Sequence, residues 1–132
     1  MINKIILASR KSRVLAYMID YAVLGVVSVP LMMLMIMAEE NEANAPIFLL
    51  FLVLFLLYAL KDAAKGQSVG KRLLGIGVRK QENYAEIPSI SKLVFRNLTQ
   101  ILGFIEFIVL AVNKDKQRLG DKLAKTVVVK LE

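Results

Sequence analysis

Arg13 and Asp20 are the first residues in this chain whose types and spacing could do chemistry. Seven positions apart, they share one face of a helix, two turns and about 10 Å apart along its axis, with Tyr17 between them. If Val14 marks the edge of the apolar run that follows, Asp20 lies about 9 Å inside it. An ionised carboxylate there costs about 2–3 kcal/mol, so it needs a proton or a partner. One chemistry open to Asp20 is alternation between a proton and a monovalent cation, with Arg13 and Arg96 setting the local field. The other is a structural ion pair that fixes helix packing, because breaking a buried pair is costly even where the pair itself adds little. Arg96, Arg13, Lys71 and Arg72 are the candidate partners. Glu106 is a second candidate intramembrane carboxylate. Asp121, in the basic stretch "NKDKQRLGDKLAK", most simply accepts hydrogen bonds or pairs with a neighbouring cation at the membrane edge.

A different chemistry is raised by "GQSVGKRLLGI", Gly66 to Ile76, whose glycines and lysine have the look of a phosphate-cradling loop. Such a loop reads G-x-x-x-x-G-K followed by Ser or Thr, and lies between a strand and a helix. Only three residues separate Gly66 from Gly70, Arg72 stands where the hydroxyl belongs, and a long apolar run precedes the segment. No nucleotide is expected. The glycines are read instead as a sharp exit from the bilayer, with Ser68 bonding local backbone and with Lys71 and Arg72 contacting lipid headgroup phosphates.

The composition supports this membrane setting. Of the 132 residues 57% are hydrophobic and the mean hydropathy is +0.58, well above an ordinary soluble domain. The absence of Cys and His removes disulfides, thiolate and imidazole metal sites and the usual nucleophile systems. No enzyme activity, metal or cofactor is expected. The methionines between Met32 and Met37 are read as adaptable packing. A net charge of +7 could suit nucleic acid, but basic residues beside apolar spans are more simply topology signals and contacts to anionic lipid.

The elements that must position these residues follow from the apolar runs. Residues 14–38 carry one charge, Asp20, and suffice to cross a hydrocarbon core of about 30 Å as a first transmembrane helix. Pro30 is tolerated in a packed membrane helix. The acidic connection 39–46 leads to a second span over 47–62, whose apolar core is short and leaves Lys61 to snorkel. Lys and Arg number four before Val14, none in the acidic loop, seven from Lys61 to Lys92 and six after Val112. The positive-inside rule therefore puts the N-terminus, the loop 63–88 and the tail 113–132 in the cytoplasm.

The third apolar element, 91–112, has basic flanks on both sides and contains Arg96, Asn97, Gln100 and Glu106, with Gly103 at its middle. Two short helices forming a re-entrant or interfacial hairpin fit this better than a plain third span. "LLGIGVRK" and "TVVVKL" are expected to pair as a small cytoplasmic β ribbon. No internal repeat is evident. The expected fold is thus a mainly α membrane protein with two clear spans, a third apolar helical element and a two-stranded ribbon, forming one domain over 1–132.

With these pieces in place, the chain resembles the RDD family of small bacterial and archaeal membrane proteins. "SRVLAYMIDYAVL" is similar to the family's R-x-x-A-x-x-x-D, placing the family arginine on Arg13 and its first aspartate on Asp20. "GQSVGKRLLGIGV" is similar to its Gly-x-Ser/Thr-x-Gly-Lys-Arg block, and "FRN" puts Arg96 at a recurrent arginine. "QRLGDKLAKTVVV" resembles the closing D-x-x-A-x-T-x-V, with Asp121 as second aspartate. Gly120 and the short third apolar region depart from the family pattern. The resemblance implies a multi-pass protein of the prokaryotic cytoplasmic membrane. It also implies antiport of monovalent cations and protons, for which Asp20 is the candidate site. Two or three helices enclose little space, so transport would require a homo-oligomer or a membrane partner subunit. The alternative is a non-transporting anchor or regulatory module in which Arg13, Asp20 and Asp121 are structural.

Overall fold

The computed structural model describes residues 6–38 and 45–131. Its first element, α1 (Arg10–Ala38), starts where the Ser9 hydroxyl accepts a hydrogen bond from the Ser12 amide at 3.0 Å, filling one of the open donors of the first turn. The N-terminal end of α1 is packed, with Ala16 and Asp20 buried. Its C-terminal half is bare, with Val26 at 73% and Met37 at 79% exposure. A helix of this length and greasiness is built for lipid on its outer surface.

The second helix, α2 (Ala45–Leu60), has 16 residues, or about 24 Å at helical rise. It falls short of the long-span criterion that α1 meets, so the expectation of two clear spans reduces to one long apolar helix and a shorter apolar helix beside it. The expected acidic outer loop, 39–46, lies outside the described residues except for its last two, which open α2.

The third apolar element consists of α4 (Ile90–Leu98), a 3-10 turn (Thr99–Leu102) and α5 (Phe104–Val112). The two arms meet at a bend of 105° at Gly103, whose φ of +50° favours glycine. Leu93 near the start of this element lies in the same core as Val78 of the ribbon. At the other end, Arg10 at the head of α1 donates from Nε to the Leu110 carbonyl (3.0 Å) and from Nη2 to that of Asn113 (2.9 Å). Both arms therefore end beside the N-terminal end of α1, so the third apolar element is a bent helix pair and not one straight helix.

A cap covers that end. Short helices α3 (Val69–Leu73) and α6 (Leu119–Leu123) each lead into a strand, β1 (Ile76–Lys80) and β2 (Thr126–Lys130). The strands pair antiparallel with Val78 opposite Val128. The ribbon anticipated from "LLGIGVRK" and "TVVVKL" is thus present. Residues 6–8 extend it: the Ala8 amide donates to the Val128 carbonyl (2.9 Å) and the Lys130 amide to that of Ile6 (2.8 Å). Two strands alone are marginal; these rest on a core of Ala8, Ala16, Ile76, Val78, Leu93 and Val128.

The cap also overturns the reading that the chain lacks an internal repeat. Val69–Leu73 and Ile76–Lys80 recur as Leu119–Leu123 and Thr126–Lys130, an offset of 50 residues. Gln67 donates through Nε2 to the Ile76 carbonyl (3.0 Å), and Gln117 does the same to that of Thr126 (2.8 Å). The strand register, with Val78 facing Val128, makes the ribbon an approximate two-fold centre. Only scattered identities survive between "QSVGKRLLGIGVRK" and "QRLGDKLAKTVVVK", which is why a linear reading passes over them.

Candidate functional site

Each short helix is seated against an apolar helix through a glycine. A side chain at Gly70 would strike the backbone of Ala16 in α1, and one at Gly120 would strike Thr99 Oγ1 and come within 2.6 Å of the Arg96 carbonyl oxygen. With no Cβ in the way, each glycine amide reaches an acid. The Gly70 amide donates to Asp20 Oδ1 at 2.8 Å and the Gly120 amide to Glu106 Oε1 at 3.0 Å. Asp20, for which a cationic partner was expected, has instead a backbone amide, and no Lys or Arg forms a salt bridge with it among the described residues.

The residue after each glycine enters an ion network between the two units. Lys71 pairs with Asp62 Oδ1 just beyond α2. Asp62 Oδ2 accepts from Arg96 Nη1 at 2.7 Å, and the same guanidinium meets Asp121 Oδ1 through Nε at 2.9 Å and Nη2 at 2.8 Å. Asp121 Oδ2 pairs with Arg13 and accepts the Arg118 amide at 3.1 Å. The result is an alternating chain, Lys71, Asp62, Arg96, Asp121, Arg13, with every member buried. Arg96 spans two carboxylates because its planar fork offers separate nitrogens on two sides, where a lysine would offer one point charge.

The structure brings together five of the residues singled out from sequence, namely Arg13, Asp20, Arg96, Glu106 and Asp121. It corrects the placement of Lys71, expected at lipid headgroups: the residue is 7% exposed and bound to Asp62, because the turn of α3 directs it inward. Arg72, on the next position, is exposed. Lys61 is half-buried, donating to Gln100 Oε1 at 3.0 Å with its ammonium 4.4 Å from the Tyr58 ring centre. Tyr58 donates to the same Gln100 oxygen. Asp62 and Arg118 were missed. Asp62 has a sequence signal in hindsight, an acid immediately after an apolar run; Arg118 has only its place beside the repeated "G-D/K" step.

Burial works on the cap's charges in opposite directions. It would raise the Asp121 carboxyl, but the guanidiniums of Arg13, Arg96 and Arg118 outweigh it and hold the group well below the usual carboxylate range. Burial draws the Lys71 ammonium down to about 7, against the upward pull of Asp62. A cavity of about 20 Å³ opens beside the network, lined by Arg13, Asp20, Lys61, Lys71, Arg96 and Arg118. Among the described residues no group of three or more acidic, Cys or His side chains is placed to hold a metal ion.

Arg13, Asp20 and Asp121, the positions that carried the resemblance, all lie at this one site, and the sequence profile of the RDD family matches residues 7–125. The chain belongs to the RDD family. As an RDD-family chain it is a membrane protein, consistent with the exposed apolar surface of α1. No curated protein and no solved structure matches it. The family match covers the first helix–strand unit in full and α6 of the second, ending at Lys125 just before β2.

Proposed function

We propose that this RDD-family chain is a non-transporting membrane module in which Arg13, Asp20 and Asp121 lock a cytoplasmic cap onto the inner ends of the membrane helices. The observation that carries this reading is the saturation of the network. Both oxygens of Asp62 and of Asp121 are held by protein donors, which leaves neither as a ligand for a passing cation. The locked cap would then serve as an anchor or regulatory surface at the prokaryotic cytoplasmic membrane, for a membrane partner or further copies of the chain. The short helices fit such a place. Leu73 and Leu123 are exposed at equivalent positions, each preceded by an exposed cation, Arg72 or Lys122, a pairing suited to an anionic lipid interface.

One observation favours the second reading, exchange of monovalent cations for protons. Asp20 lines the cavity and, among the described residues, only its Oδ1 is bonded, so it retains an oxygen for a proton or an ion. Sodium and potassium flux driven by a pH gradient in proteoliposomes separates the two. The locking role predicts no flux above empty liposomes, with Asp20→Asn still inserted and only modestly destabilised because the amide oxygen can keep the Gly70 bond. Flux in the wild type that disappears in an inserted, folded Asp20→Asn would replace the lock with an exchanger.

A further inference from the structure

An open groove of about 410 Å³, roomy enough for more than a single ion, runs between α4 and the end of α6. Ser91, Lys92 and Phe95 line one side of it and Leu123 and Lys125 the other, and no member of the ion network takes part. Its charge is of one sign. Among the described residues no acid lines the groove, and neither Lys92 nor Lys125 forms a salt bridge. Its apolar part is equally open, with Phe95 50% and Leu123 57% exposed. Lys92 and Phe95 stand three positions apart on α4, so ammonium and ring share one face of the helix. Two ammoniums set beside two exposed apolar side chains are complementary to a molecule with an anionic head and an apolar tail.

The fold orients such a molecule. Leu93, the residue after Lys92, belongs to the core shared with Val78 of the ribbon, so this end of α4 lies against the cap. In the other direction the chain passes the exposed Ile101 and Leu102 into the apolar arm α5. The groove therefore opens where the cap meets the apolar helices, which is headgroup level for a cap resting on the membrane surface. The two units differ here. Lys125 holds a left-handed turn, φ +53°, that its counterpart Gly75 adopts without strain, and its side chain lines the groove. The turn itself has no use for a lysine. Its amide donates to the Lys122 carbonyl (3.2 Å) and its carbonyl accepts from the Gln81 amide (3.0 Å), bonds that glycine would make equally well. We infer that the groove between α4 and α6 is a binding site for one anionic phospholipid, its phosphate held by Lys92 and Lys125 and its acyl chain laid over Phe95 and Leu123. The inference rests on the anchoring reading, because it needs the cap at the membrane surface. It confines the specific contact to the second unit, since Gly75 offers no cation in the first.

The test uses the full chain in uncharged detergent micelles, offered phosphatidylglycerol or phosphatidylcholine with the same acyl chains, and counts retained lipid by native mass spectrometry. The wild type should retain one phosphatidylglycerol in preference to phosphatidylcholine. Lys125→Gly and Lys92→Gln should each weaken that retention about tenfold, the loss of one charged hydrogen bond, and Arg72→Gln in the first unit should leave it unchanged. Lys125→Gly is the sharper variant because glycine relieves the turn. Its unfolding midpoint without lipid should be no lower than that of the wild type, so that lost binding is not lost folding. Equal retention of the two lipids, or an undiminished preference in either lysine variant, would overturn the site. A loss in Arg72→Gln as large as in Lys125→Gly would overturn it in favour of diffuse attraction to the cap. Release of the lipid by an equimolar amount of inorganic phosphate would overturn it in favour of a soluble phosphate ligand. The flux assay judges the lock separately: flux with one retained phosphatidylglycerol removes the lock and keeps the groove, and neither flux nor lipid preference keeps the lock and removes the groove.

Discussion

The unit built on Val69–Lys80 puts a lysine, Lys71, where the unit built on Leu119–Lys130 puts an aspartate, Asp121. Around that difference the two are alike: a glycine pressed against a helix, an amide given to an acid, a glutamine bonding the head of the strand, and central valines facing each other. Opposite charges at equivalent positions require opposite neighbours. Lys71 finds Asp62 at the end of α2, and Asp121 finds Arg13 on α1 and Arg96 on α4. The repeated backbone supplies two similar seats, and the charges determine which helices occupy which.

Arg96 is where the two units are joined, so removing it is the sharpest way to break the comparison. Arg96→Gln leaves Asp62 and Asp121 facing each other with only Lys71 and Arg13 beyond them. Loss of one partner from a buried ion network costs about 3–5 kcal/mol, and denaturant unfolding in micelles should show a loss of that order. Arg96→Lys should recover only part of it, because one ammonium lacks the planar fork that gives Asp121 two nitrogens and Asp62 a third. A loss no greater than that of Arg72→Gln would mean the network does not hold the cap.

The next effect separates the two units. Asp121→Asn strands two guanidiniums and should cost about 3 kcal/mol or more. Lys71→Gln frees one oxygen of Asp62, whose other oxygen stays on Arg96, and should cost about 1–3 kcal/mol. Their pH signatures fall in different windows. Asp121 is held below its ordinary value of 3.8, so its contribution is complete above about pH 4 and drains away as the pH falls from there. Lys71 is drawn from 10.5 to about 7, so across that interval the unfolded chain binds more protons and stability rises with pH. Asp121→Asn should reduce the acid limb and leave the alkaline one, whereas Lys71→Gln should remove the alkaline limb and also reduce the acid limb, because Lys71 is the foremost charge holding Asp62 below the usual carboxylate range. Loss of the alkaline limb in Asp121→Asn would show that the units titrate as one body.

Gly70→Ala and Gly120→Ala probe the seats themselves. Overpacking of this kind costs about 1–3 kcal/mol. The Gly70 methyl meets only backbone of Ala16, whereas the nearest atom to a Gly120 methyl is the Thr99 hydroxyl, which can rotate, with the Arg96 carbonyl behind it. Gly70→Ala should therefore be the worse of the two by unfolding midpoint, and equal losses would argue that α4 is seated as rigidly as α1.

Much of this was legible before the structure. A long, nearly uncharged apolar run announces α1, alternating β-branched residues announce the ribbon, and glycine among polar residues with basic flanks announces the bend at Gly103. Arg13, Asp20, Arg96, Glu106 and Asp121 stood out because charge in an apolar setting is expensive. Their pairing was not legible. Asp20 shares a helix face with Arg13, yet its partner is the Gly70 amide, a group every non-proline residue possesses and which no pattern of side chains reveals. Lys71 looked like a headgroup contact because it follows the glycines read as a sharp exit from the bilayer. Only the turn of α3 turns it inward. The repeat escaped notice because the fold preserves backbone geometry and lets the side chains, including the central charge, diverge.

That divergence extends to the turn before each strand, where the smallest effect is expected. Gly75 has φ +61° and its counterpart Lys125 has φ +53°, with each amide donating over 3.2 Å to the carbonyl three residues back. A left-handed conformation costs a residue with a side chain about 1–2 kcal/mol, and glycine escapes this at an entropic cost of about 0.5–1 kcal/mol. Lys125→Gly should accordingly stabilise the second unit by a margin of up to about 1 kcal/mol. Gly75→Lys should destabilise the first by a similar margin, since a Cβ there would come no nearer than 3.7 Å to the Leu131 carbonyl oxygen. Opposite and comparable shifts in midpoint would establish that the two turns are one backbone solution filled by different residues. A loss at Gly75→Lys as large as that at Gly70→Ala would mean the first unit depends on its glycine for contact with a neighbour, and that the likeness of the two units stops short of their turns.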